Sequence, residues 1–151
     1  MISKQEIIER AWQLGFVDIG FTSVEPFDQQ KEILQTMKEE YAFFTEKGIF
    51  LEEGIDPHQS MPNAKSIIVL LDIYYQGQIP PMLQLNFGRV YLDDDRITKD
   101  GLSRKIKAFR GFLRDNGIDS KVPANLPQRI AAARAGVGNF GKNCLLYANR
   151  V

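Results

Sequence analysis

A chain of 151 residues, 44% hydrophobic and 25% charged, is long enough for one domain with a substantial core. Nineteen lysines and arginines balance nineteen aspartates and glutamates, which argues against a surface built to neutralise nucleic-acid phosphates. The single cysteine excludes an internal disulfide and cannot by itself hold an iron–sulfur cluster, and no apolar run is long enough to cross a membrane. The chain opens directly into an amphipathic pattern rather than a signal peptide, so a cytoplasmic location is expected.

In chain order, Ser3-Lys4-Gln5-Glu6 is a capping box, followed by an apolar stripe of Ile7, Ile8, Ala11, Trp12 and Leu14. Gly15 should close that helix. The alternation from Phe16 to Val24 predicts a strand with Val17, Ile19 and Phe21 on one face, ended by Pro26. Asp28 is placed to cap a second helix that carries Ile33, Leu34, Met37, Tyr41 and Phe44 inward and stops at Gly48. Residues 49–66 read as a loop, and His58, the only histidine, as an exposed side chain in it rather than a ligand.

Ile67 to Tyr75 is almost continuously apolar, as in a strand buried on both faces. Asp72 interrupts it and needs either a partner or a place at a pocket or edge. The stretch from Gln76 to Arg96 opens on a breaker cluster and ends near Asp93-Asp94-Asp95, which reads as a solvated turn rather than a cation site. Thr98 to Asn116 predicts a long helix with Leu102, Ile106, Phe109 and Leu113 inward, closed by Gly117. Its basic residues Arg104, Lys105, Lys107, Arg110 and Arg114 form either a solvated face or a patch for an anionic partner. Ile118 to Val122 is a short strand or its approach.

The last segment organises the rest. Leu126-Pro127-Gln128-Arg129-Ile130-Ala131-Ala132-Ala133-Arg134-Ala135 predicts a short helix ended by Gly136, and Cys144-Leu145-Leu146-Tyr147 a short buried strand. Between them Gly136-Val137-Gly138-Asn139-Phe140-Gly141 spells a dinucleotide fingerprint. The order of elements is wrong for one, because the fingerprint must follow a strand and open a helix. With Lys142 the same run imitates a P-loop, but Asn143 has no hydroxyl for a magnesium ion. A glycine turn that lets a flat ligand, or another stretch of chain, approach the backbone remains.

The phrase from Leu126 to Leu146 resembles the signature of the amino-terminal domain of epoxyqueuosine reductases, shared with corrinoid reductive dehalogenases and related iron–sulfur proteins. Asp56-Pro57 with Met61-Pro62-Asn63-Ala64-Lys65-Ser66-Ile67-Ile68-Val69-Leu70 is similar to that family's entry into a central strand, and Leu14 to Phe21 to its first helix-to-strand turn. The order of elements gives an α/β (α+β) layered domain. The resemblance implies a nitroreductase-like sandwich with a central mixed sheet flanked by helices. It implies cobalamin as cofactor, bound by Arg129, Gly136, Val137, Gly138, Asn139, Phe140, Gly141, Lys142 and Asn143. It also implies a proton donor at Asp119, whose carboxyl would have to be raised by burial. Tyr91, in Phe87-Gly88-Arg89-Val90-Tyr91, matches a tyrosine that touches the ligand; the histidine that follows it in the family is absent.

The family's 4Fe-4S clusters belong to a ferredoxin-like region without counterpart here. Residues 1–151 are therefore expected to be a single amino-terminal domain of a longer reductase, inactive alone and partnered by its own ferredoxin-like domain. The alternative is a non-catalytic binding or dimerisation module serving such a domain. The missing histidine, a longer insertion between Asp119-Ser120 and Gly136 than the family usually shows, and the balanced charge favour a small-molecule or unassigned substrate over tRNA.

Overall fold

Ser3 starts the first helix, α1 (Lys4–Gln13): its hydroxyl accepts the Glu6 N–H, and its own N–H and hydroxyl donate to the Glu6 carboxylate at 2.8 and 2.7 Å. These bonds, the backbone one first, hold the Glu6 carboxyl below the usual carboxylate range. Their contribution to the helix start is present above the unfolded pKa and fades as pH falls through the lowered folded value. The computed structural model describes residues 2–48, 50–73, 82, 101–123 and 125–150. The expected end of the central strand at Tyr75, the start of the long helix at Thr98, Tyr91 and the acidic triplet lie outside these residues.

The described residues fall into two compact units, one drawn from 1–19 and 70–120 with Arg150, the other from 20–69 and 121–149. In the first, α1 packs against α5 (Leu102–Asp115). Ile7, Ala11, Phe16, Phe109 and Leu113 are buried, and the Phe16 and Phe109 rings meet edge to face with centroids 6.2 Å apart. Gly15 and Gly117 follow the two helices at φ +85° and +77°, the left-handed stops expected of them. Two residues of the expected stripes are displaced: Trp12 and Leu102 are exposed, because only the narrower Ile7/Ala11 and Phe109/Leu113 faces are covered. The Ile118–Val122 stretch forms no strand; Arg110 ties it down instead by donating to the Ser120 carbonyl at 2.8 Å.

The second unit is built on Phe27, Leu34, Ile55 and Ala131, with Tyr41, Leu51, Ile67, Val69, Leu126 and Ile130 against them. The expected single helix from Asp28 to Gly48 is broken into α2 (Asp28–Thr36) and α3 (Ala42–Glu46). Thr36 turns its hydroxyl back onto the Glu32 carbonyl at 2.9 Å, a bond that bends helices, and the turn that follows brings Tyr41 to the core while Met37 and Phe43 stay exposed. Asp28 is the first helical residue rather than the cap, a place taken by buried Phe27. The expected loop at 49–66 contains a 3₁₀ turn (Leu51–Gly54) and a one-turn helix, α4 (Pro57–Ser60), capped by Asp56.

Strands β1 (Asp18–Thr22) and β2 (Ile67–Leu71) pair with each other and contribute residues to both units. In the second unit α6 (Gln128–Arg134) leads past Gly136, at φ +75°, into a hairpin of β3 (Gly138–Phe140) and β4 (Leu146–Ala148). The hairpin is antiparallel, with Gly138 opposite Ala148 and Phe140 opposite Leu146. Half of the glycine phrase is thus strand, not loop, and the strand expected at Cys144 begins two residues later. The mixed helix-and-strand class holds, and among the described residues the strands form two sheets of two. No helix among these residues is long and apolar enough to cross a membrane.

Candidate functional site

The chain before α6 is fixed by a close backbone approach. Gly54, buried at the end of the 3₁₀ turn, lies so near Asn125 that a Cβ there would fall inside the Asn125 carbonyl. The Asn125 amide completes the contact by donating to Glu53 at 2.9 Å. Two arginines then use α6 as a strut. Arg134 donates to the carbonyls of Glu25 and Pro26 at 2.8 and 3.3 Å and lies 4.2 Å from the Phe27 ring centroid. Arg129 donates to the Cys144 carbonyl at 2.8 Å, tying the helix to the tip of the hairpin.

These contacts leave an open cleft of about 710 Å³ within the second unit, a volume in the range of small-molecule sites. Phe50, Leu51, Leu126, Ile130 and Phe140 give it apolar walls; Gln30, Asn125 and Gln128 add amides, and Arg129 and Cys144 complete it. Of the residues expected to bind a cofactor, Arg129 and Phe140 reach this cleft.

The others have different surroundings. Val137 is buried and packs at Gly20. Asn139 donates to the Asn149 side chain at 2.9 Å. Asn143 accepts from the Leu145 N–H and donates to the Tyr147 hydroxyl, an Asx turn that shapes the hairpin tip. Lys142 is exposed. Gly136 faces open space, and its φ alone explains it. A Cβ at Gly138 would come within 2.7 Å of the Tyr147 carbonyl, and one at Gly141 would meet the Tyr147 ring. Both glycines therefore admit this chain's own backbone and ring. Gly138→Val should cost about 2–3 kcal/mol of stability by overpacking the hairpin, read as a lowered unfolding midpoint; a mutant as stable as the parent would show that the hairpin has slack.

Asp119 is exposed, in an irregular stretch of the first unit. Tyr91 lies outside the described residues. Asp72 has found a partner: both its carboxylate oxygens lie 2.9 Å from Lys105 Nζ. His58 is half-exposed, with Nδ1 3.2 Å from Asp56. No three His, Cys, Asp or Glu side chains among the described residues are grouped to hold a metal. Sequence reasoning missed Gln30, Phe50 and Leu51, because they lie on other elements and reach the phrase through tertiary contacts that leave no motif.

No family model matches the chain. It is similar to the epoxyqueuosine reductase of Bacillus subtilis, 28% identical over 162 residues that cover 95% of this chain and 39% of that protein. The Staphylococcus aureus enzyme of the same name is 29% identical over 154 residues, covering 93% and 39%. Among solved structures, a Bacillus subtilis epoxyqueuosine reductase, captured with an aspartate-bearing catalytic loop swung out of the active site, superposes with a TM-score of 0.71 at 25% identity. That match covers 97% of this chain and 42% of the other. The Streptococcus thermophilus protein shares the fold at a TM-score of 0.56 and 22% identity, over 98% and 42%. The resemblance read from the glycine phrase thus extends over nearly the whole chain, which spans about 39% of the length of these curated relatives.

Proposed function

We propose that this chain is the cofactor- and substrate-binding portion of a reductase similar to the epoxyqueuosine reductases, with a corrinoid held in the cleft of the second unit. One observation carries the reading. Residues far apart in the phrase that bears the resemblance, Leu126, Pro127 and Arg129 at one end and Phe140 and Cys144 at the other, come together as a wall of that cleft.

The residues present fit such a group. Phe50, Phe140, Leu51 and Leu126 suit the faces of a broad ring, and the amides of Gln30, Asn125 and Gln128 suit a rim of amide side chains. A bound corrinoid would supply the redox-active centre. This chain's part is to exclude water from one side of the ring and to orient it. Asp119 and Tyr91 remain the proton donor and substrate contact that the resemblance proposes, but Asp119 is exposed, without the burial that would raise its carboxyl. The proposed arrangement is nitroreductase-like about a central mixed sheet.

Electrons must come from elsewhere, since one cysteine cannot hold a 4Fe-4S cluster; a ferredoxin-like domain is the proposed source, in a cytoplasmic protein. A small-molecule substrate suits the surface better than tRNA. Of the basic residues on α5, Lys105 is taken by Asp72 and Arg110 by Ser120, which thins the patch an RNA would need.

A visible-spectrum titration of the 151-residue chain with cob(II)alamin tests the proposal. A saturable spectral change is expected, without reductive turnover when only a soluble reductant is added. An unchanged spectrum at high protein concentration would favour the second reading, a binding or dimerisation module. That reading draws on Gly138 and Gly141, whose open sides are filled by Tyr147 rather than left for a ligand.

A further inference from the structure

Two exposed faces of this chain carry opposite charge. The outer face of α5 is basic: Arg104, Lys107 and Arg114 are exposed on it, and the helix holds a single acid, Asp115, at its end and 3.7 Å from Arg114. Residues 28–46, which include α2 and α3, hold five carboxylates against two lysines. This acidic segment also exposes apolar side chains. Ile33 and Met37 are 43% and 37% exposed, and the Met37 N–H donates to the Ile33 carbonyl at 3.0 Å, so the two side chains lie one turn apart on the same face.

The basic face has a feature that the fold itself does not use. Gly111 stands in the interior of α5, and a Cβ there would meet nothing within 4 Å. Glycine inside a helix is destabilising relative to alanine, and no close packing among the described residues accounts for it. With exposed Ala108 it leaves a shallow furrow beside Lys107 and Arg114, open to the close approach of another helix.

We propose that the basic face of α5 docks on the acidic, apolar face of α2 in a second copy of this chain. Ile33 and Met37 of one copy cover Ala108 and Gly111 of the other, and Lys107 and Arg114 face the carboxylates. The charge complementarity selects this occupant. An RNA or an unrelated acidic protein would satisfy α5 and leave Ile33 and Met37 bare, whereas a second copy satisfies both faces. The zero net charge also removes the long-range repulsion between copies that a protein of one sign carries. The two faces differ, so the contact is heterologous, and a contact between single helix faces is weak and salt-sensitive. It does not depend on the corrinoid reading.

Sedimentation equilibrium of the 151-residue chain tests the proposal. At low salt the average mass should rise above 17.2 kDa with concentration, and it should return to that value at about 0.5 M salt, where charges are screened within a few ångströms. Lys107→Glu and Glu32→Lys should each weaken association roughly tenfold. Lys65→Glu, the same change of charge at an exposed site just before β2, should leave it unchanged. Gly111→Gln should abolish association without lowering the unfolding midpoint, since glutamine suits a helix better than glycine. A chain that stays at 17.2 kDa at every concentration overturns the proposal, whichever anionic partner then binds α5. So does association that survives high salt or Lys107→Glu, because another apolar surface, such as exposed Phe140 and Tyr147 on the hairpin, would then hold the copies together. Either failure leaves the corrinoid titration to be judged by itself.

Discussion

Gly54→Val is expected to unfold the unit that carries the cleft. The Cβ position at residue 54 coincides with the carbonyl group of Asn125, and the Leu126 N–H lies 2.9 Å away. Backbone cannot rotate out of the way as a side chain can, so either the 3₁₀ turn or the chain entering α6 must move. Both are packed: Leu51 and Leu126 lie against the Phe27 core, and Ile55 is part of it. Overpacking of this kind costs about 3 kcal/mol or more, a large share of the ~5–15 kcal/mol that holds a domain folded. Even Gly54→Ala should lower the urea midpoint markedly, whereas Glu53→Gln, which alters an exposed hydrogen bond one residue away, should move it little. The measurement is urea denaturation followed by far-ultraviolet circular dichroism. A Gly54→Ala protein with the parental midpoint would mean that the close approach to Asn125 is not a feature of the folded chain.

That glycine also marks where the sequence stops being legible. Local signals were readable because the physics is local: a Ser3–Glu6 cap, or the left-handed stops at Gly15, Gly117 and Gly136, depend on a few neighbouring residues. The break after Thr36 was not, because the Met37, Tyr41 and Phe44 spacing fits one long helix as well as two short ones, and the packing of Tyr41 decides between them. The glycine phrase pointed to a close approach, which is correct in kind. The approaching group at Gly138 and Gly141 is Tyr147, a few residues on in the same hairpin. Of the cleft, the half made by Arg129 and Phe140 could be named from the phrase. The half made by Gln30, Phe50 and Leu51 depends on tertiary contacts that leave no motif.

Asp72 poses the same question in the first unit, and Lys105→Met answers it. A carboxylate at the end of an apolar strand must either be paired or open onto a pocket; Asp72 lies just past β2, and the structure pairs it. Lys105 Nζ lies 2.9 Å from each carboxylate oxygen and donates to the Gly15 carbonyl at 3.1 Å, with the Phe16 ring centroid 5.8 Å away. The Asp72 side chain is only 12% exposed and that of Lys105 24%, so water can replace the lost ammonium only in part. Removing one partner of such a pair leaves a nearly buried charge, while the exposed Gly15 carbonyl returns to water. The expected loss is about 2–3 kcal/mol, somewhat below the ~3–5 kcal/mol of fully buried pairs because both side chains keep some solvent contact. Asp72→Asn in the Lys105→Met background should restore part of it, since the neutral amide no longer needs a cation. The coupling between the two sites in a double-mutant cycle is then the quantity to measure. Additive effects of the two substitutions would show that the pair is a surface contact of little worth, and Asp72 would return as a candidate for a role beyond holding the fold.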